Sequence, residues 1–202
     1  MAVGSACTRN CCNFGIADRA MGEPGAVWHC EGGTHTRHIS AVLGAAGIEG
    51  DTVKKFEDLA EFVAAEGTQL GPTEWLEITQ DRVNLFADAT DDHQWIHVDP
   101  ARAADGPFGG TIAHGLLTLS LLPHFTSQLY TVGNVAMAIN YGYNKVRFIT
   151  PVRVGAKLRA RAEITTVAAL ESAVQATLTT TVEIEGSDKP AAVAESIVRF
   201  IG

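Results

Sequence analysis

From Ala87 to Pro100 the chain reads Ala-Asp-Ala-Thr-Asp-Asp-His-Gln-Trp-Ile-His-Val-Asp-Pro, a dense run of carboxylates and imidazoles. A carboxylate and an imidazole a few residues apart in a turn can converge on one water. Each trades a proton near neutral pH, which suits general acid–base work. Two other readings stay open on local chemistry alone. Asp91 or Asp92 could cap a turn, and His93, His97 and Asp99 could ligate a metal through the His-x3-His spacing. A second stretch, Gly106-Pro107-Phe108-Gly109-Gly110-Thr111-Ile112-Ala113-His114-Gly115-Leu116, runs from a glycine-rich turn into an apolar segment. The first amides of a helix have no intrahelical acceptor and carry partial positive charge. At Gly115 no side chain blocks approach, so its N–H could hold a developing oxyanion. The alternative is plain turn glycines and tight packing, with His114 a structural histidine.

Elements that could position these groups follow from periodicity. Phe56, Leu59, Ala60, Phe62 and Val63 recur at helical spacing, with Gly67 as a stop. Glu74–Ile78 alternates as a short strand. Thr79 then reads as an N-cap, followed by a helix burying Val83, Leu85, Phe86 and Ala89. Ile112–Phe125 is apolar nearly all round, which predicts one long buried helix ending at Pro123. Val135–Phe148 with a bulge at Gly142, Lys157–Val167, Ser172–Ile184 and Ala191–Phe200 read as strands, with Gly186–Lys189 a turn. The implied architecture is α+β, a curved antiparallel sheet around a central helix.

At the two reactive stretches the sequence resembles the MaoC-like family of (R)-specific enoyl-CoA hydratases. The family motif Asp-x-Asn-Pro-x-His appears as Asp92-His93-Gln94-Trp95-Ile96-His97, and its (Ile/Val)-x-His-Gly element as Ile112-Ala113-His114-Gly115. Phe86–Thr90 and Asn140–Phe148 are similar to the mycobacterial-type single-domain hydratases. Gln94-Trp95 replaces the common Asn-Pro, and Asp91 replaces the usual Gly. The resemblance implies a hot-dog fold and a homodimer with its two sheets joined edge to edge, with acyl-CoA bound near the interface. It implies Asp92 and His97 as the catalytic pair, Gly115 as oxyanion donor, and neither metal nor redox cofactor, CoA being part of the substrate. The expected reaction is reversible hydration of trans-2-enoyl-CoA to (R)-3-hydroxyacyl-CoA. Two alternatives remain, a hot-dog acyl-CoA thioesterase and a non-catalytic acyl-CoA-binding subunit.

The composition limits the other classes. The 202 residues are 46% hydrophobic and carry a net charge of −8, enough for a core and without a nucleic-acid footprint. A local basic run (Lys145, Arg147, Arg153, Lys157, Arg159, Arg161) could meet phosphates or form a solvated sheet face. No stretch approaches 18 apolar residues, so no membrane span is expected. Residues 1–52 hold all four cysteines and show no sustained period. Cys7, Cys11, Cys12 and Cys30 with His29 lack the spacing of a structural zinc site, and no secretory pattern is present. This segment is expected to be a disordered leader or an upstream start assignment, and residues 53–202 a cytoplasmic hydratase domain. Ser120 lacks a GxSxG elbow, and no GxGxxG follows a strand.

Overall fold

The computed structural model describes residues 53–202, so the expectations for residues 1–52 lie outside the described residues. Its elements follow in the order β1 (Lys54–Phe56), α1 (Leu59–Val63), β2 (Gln69–Leu70), β3 (Leu76–Glu77), α2 (Gln80–Thr90), α3 (Trp95–Val98) and α4 (Pro100–Ala104). Then come α5 (Gly115–Ser120), α6 (Leu122–Leu129), β4 (Tyr130–Val132), β5 (Met137–Phe148), β6 (Lys157–Ala169), β7 (Val174–Ile184) and β8 (Ala192–Ile201).

The antiparallel sheet runs β2-β6-β7-β8-β5, with β3 pairing a further part of β6. Strict alternation on β7 turns Val174, Ala176, Leu178, Thr180 and Val182 inward. Against that face lie Leu117, Leu121, Leu122, Phe125 and Leu129 of the helical segment, all buried. Leu122 and Phe125 share one core cluster with Leu158, Ala160 and Val182, and Leu129 shares another with Phe62, Ile164 and Leu178. This is the expected α+β hot-dog arrangement. The expected bulge is present too, as a register shift between Asn140 and Gly142.

Three local expectations are corrected. The amphipathic helix starts at Leu59, not before Phe56. Lys54–Phe56 instead pairs in parallel with Tyr130–Val132, and the Asp58 carboxylate caps α1 by accepting from the Glu61 amide. On α2 the buried residues are Val83 and Ala87, whereas Leu85 is 70% exposed. The central helix begins at Gly115 and breaks at Leu121, whose N–H is shared between Leu117 and Thr118 carbonyls. Pro123 does not end it. Proline lacks an N–H and has a fixed φ, which fits the first turn of a helix, and there it opens α6.

Candidate active site

Thr79 sets the start of the first site-bearing element. Its hydroxyl accepts from the Arg82 amide, and α2 then runs to Thr90. Asp91 ends the helix in the left-handed conformation, φ 57°. That is the position a glycine commonly fills, and it swings Asp92 out of the helical path. Gln94 opens α3 without a side-chain cap. Trp95, where the family pattern has proline, lies under the Arg102 guanidinium at 4.5 Å and beside Gly106. The α3 turn carries His97 into the interior, at 7% exposure.

The second element comes from the glycine-rich turn. The Arg153 guanidinium donates to the Gly109 carbonyl. Thr111 and Ala113 then pair with Val154 and Val152 (2.9 and 2.7 Å), and the Ile112 amide donates to the Ile96 carbonyl at 2.9 Å. These bonds lay the segment entering α5 alongside α3. A Cβ at Gly115 would come within 2.9 Å of the Phe148 ring, so any side chain there would push that ring aside.

Asp92, His97 and His114 converge. One donor atom from each lies within 4.8 Å of the others. His97 Nδ1 is 2.7 Å from the Ile112 carbonyl oxygen, and His114 Nε2 is 2.9 Å from the Asp92 carbonyl oxygen. A carbonyl only accepts, so each of those nitrogens carries a proton. Neutral His97 therefore has its lone pair on Nε2. Burial pushes the His97 pKa below its ordinary value; the nearby His114 lowers it further, while the Ile112 hydrogen bond and the Asp92 charge act the other way. The two imidazoles stack, centroids 3.8 Å apart and 26° between planes. Among the described residues, His114 Nδ1 is buried without a partner.

These groups border a cavity of about 410 Å³ that also meets Gly115, Leu116 and Phe148. A neighbouring cavity of about 290 Å³ shares His97, Gly115 and Phe148 and extends to Ile112, Val152 and Ala191. Two acceptors up to 4.8 Å apart can share one bridging water. A tetrahedral zinc draws its donors to about 3.3 Å of one another, whereas His114 Nε2 and Asp92 Oδ2 are 3.9 Å apart. His114 Nε2 is moreover engaged with the Asp92 carbonyl oxygen at 2.9 Å.

Asp92, His97 and Gly115 are brought together as expected from sequence. The His93, His97 and Asp99 metal grouping is not. His93 is exposed and bonded to Asp88 at 2.8 Å, and Asp99 caps α4 by accepting from the Arg102 amide. Half of the basic run, the part on β6, is paired with carboxylates. Lys157 meets Glu185, and Arg159 and Arg161 share Glu183. Of the apolar residues entering the central helix, exposed Leu116 lines the cavity, while Leu117 and Leu122 are core. His114, read from sequence as structural, is a member of the cluster. Gln80, in sequence only part of the helix start after Thr79, bonds to the His97 carbonyl at 2.7 Å.

A family model described as "MaoC like domain" matches residues 61–186. Over 150 residues the chain is 59% identical to 3-hydroxyacyl-thioester dehydratase Z of Mycobacterium tuberculosis H37Rv, covering 74% of this chain and 99% of that protein. It is 44% identical over 149 residues to nodulation protein N of Rhizobium meliloti, covering 69% and 88%. Among solved structures, the (R)-hydratase from A. caviae involved in PHA biosynthesis superposes with a TM-score of 0.54 at 30% identity, over 66% of this chain and 94% of that one. A monoamine oxidase regulatory protein from Archaeoglobus fulgius superposes at 0.61 with 22% identity, over 74% and 97%, a likeness of fold.

Proposed function

The chain belongs to the MaoC-like dehydratase family, and from that premise we propose that it is a hydro-lyase adding water reversibly to trans-2-enoyl-CoA to give (R)-3-hydroxyacyl-CoA. The observation that carries this reading is the convergence of Asp92, His97 and the α5 entrance on one cavity. A dehydratase of 3-hydroxyacyl thioesters and an (R)-hydratase among its relatives support it.

Water bound between the Asp92 carboxylate and His97 Nε2 donates a hydrogen to each, which leaves an oxygen lone pair free for C3. The C3–O bond forms as one proton passes to the pair. The C2–C3 π electrons move toward the thioester carbonyl, whose oxygen takes up the charge. The Gly115 N–H, unpartnered within its helix, donates to that oxygen. A proton from the pair then reaches C2 on the same face, and the pair ends as it began. Hydration is redox-neutral and asks for no redox cofactor. Among the described residues, no helix is long and apolar enough to cross a membrane.

We further infer a homodimer formed through β5, whose outer edge has no strand partner among the described residues.

Loss of enoyl absorbance with crotonyl-CoA tests the reaction, with chiral analysis of the product. Asp92→Asn and His97→Gln are each expected to lower kcat/KM by about 10²–10⁴-fold. Near-normal hydration by either variant, thiol release without hydration, or an (S) product would overturn the reading.

A further inference from the structure

We propose that Gln80 is a positioning residue of this site, its side-chain amide closing a ring of hydrogen bonds that fixes the His97 imidazole relative to the segment entering α5. The inference rests on the hydratase reading and adds a residue outside the acid–base pair.

Gln80 is the first residue of α2. Its Nε2 donates to the His97 carbonyl oxygen at 2.7 Å and to Asn84 Oδ1 at 2.9 Å, and its Oε1 accepts from the Thr111 hydroxyl at 2.6 Å. The His97 carbonyl can only accept, so the amide cannot be flipped without losing that bond. From His97 the ring continues through the imidazole, whose Nδ1–H donates to the Ile112 carbonyl at 2.7 Å. Ile112 follows Thr111 in the chain, and Thr111 returns to Gln80. Thr111 and His97 are 6% and 7% exposed, so water cannot readily replace a lost donor.

A cap function does not account for these bonds. Thr79 already caps α2, and Asn84 is a local partner one turn on. The other two bonds span 17 and 31 residues and join the two segments that carry the reacting groups. Ile112 holds the imidazole through its carbonyl, and Gly115 lies three residues farther along the same backbone. The ring therefore sets His97 relative to the Gly115 N–H. Displacement of a catalytic group by about 1 Å costs about 10²-fold in rate.

Gln80→Glu keeps the shape and makes the effect conditional. An ionised carboxylate still accepts from Thr111 but cannot donate to the His97 carbonyl, whereas a protonated one can. At neutral pH, kcat on crotonyl-CoA is expected to fall by about 10–10²-fold, with KM within about twofold. The ratio of variant to wild-type kcat should climb as pH falls through the titration of the introduced carboxyl. Gln80→Leu should lose kcat without that recovery, and Thr111→Val should lose part of it. Wild-type kcat in Gln80→Glu and Thr111→Val, or losses in Gln80→Glu that do not change with pH, would overturn the proposal. These two variants also decide if Gln80→Leu does not fold. If the wild-type protein hydrates no enoyl-CoA, the functional reading fails on its own. The clamp is then judged by the ring-nitrogen NMR signals of His97, assigned through His97→Gln. A fixed Nδ1–H tautomer that turns mixed in Gln80→Glu upholds it, and an unchanged spectrum refutes it.

Discussion

In the mechanism proposed above, a water hydrogen is held at His97 Nε2, which requires a neutral imidazole, and the surroundings of His97 favour that form. Burial, and secondarily the neighbouring His114, lower its pKa from the ordinary 6.5. The acid limb of kcat/KM for the free enzyme should therefore lie below pH 6.5, and activity should persist into mildly acidic solution. A pH–rate profile checks this, and an acid limb at or above 6.5 contradicts it. Stability shares the sign. The folded state resists protonating His97 while the unfolded chain takes the proton near 6.5, so this group removes stability as pH falls from there toward its folded pKa and no more below it. Asp92 and His97 were legible because they are close in sequence and of reactive types. His114 was undervalued because its stacking on His97 and its bond to the Asp92 carbonyl exist only after α3 and α5 are brought together. Gln80 gave no local signal. A glutamine after an N-cap is ordinary, and its partners lie 17 and 31 residues away.

The elements were legible where one pattern decided them and misread where two competed. The strands β6 to β8 follow their alternation closely. At Phe56 the helical spacing extends one turn beyond the helix itself, because the short strand there depends on Tyr130–Val132 for its pairing. At Pro123 the apolar run gave no sign that the helix restarts. The turn after α2 offers a test at this scale. Asp91 holds a left-handed conformation, and its carboxylate sits at the negative end of the helix, next to Asp92. Asp91→Gly removes the backbone strain and the unfavourable charge, partly offset by a more flexible unfolded chain. The expected gain is about 0.5–1 kcal/mol, roughly 1–4 °C in Tm for a chain of this size, with crotonyl-CoA hydration unchanged. Thermal denaturation followed by circular dichroism measures it, and a lower Tm would mean that Asp91 makes a stabilising contact of its own.

At the scale of the whole molecule, the sheet ends unfinished. Among the described residues β5, 12 residues long, pairs with β8 alone and is exposed along most of its length. Met137, Ile139 and Tyr141 are 52%, 42% and 57% exposed. A long apolar edge with free N–H and C=O groups is a template for pairing, which stable proteins cover or charge. A second copy laid antiparallel along the same strand would cover it with closed two-fold symmetry. The consequence reaches the active site, because the same strand ends in Phe148, whose ring packs on Gly115 and borders both cavities. Disturbing the edge should therefore disturb catalysis. Ile139→Lys places a charge on the edge, the means by which natural sheets discourage pairing. Sedimentation velocity is expected to give twice the chain mass for the wild-type protein and a shift toward single chains for the variant, with hydration falling in step. A monomeric wild type would refute the dimer. A variant that dissociates yet retains full activity would show instead that each chain builds its site alone.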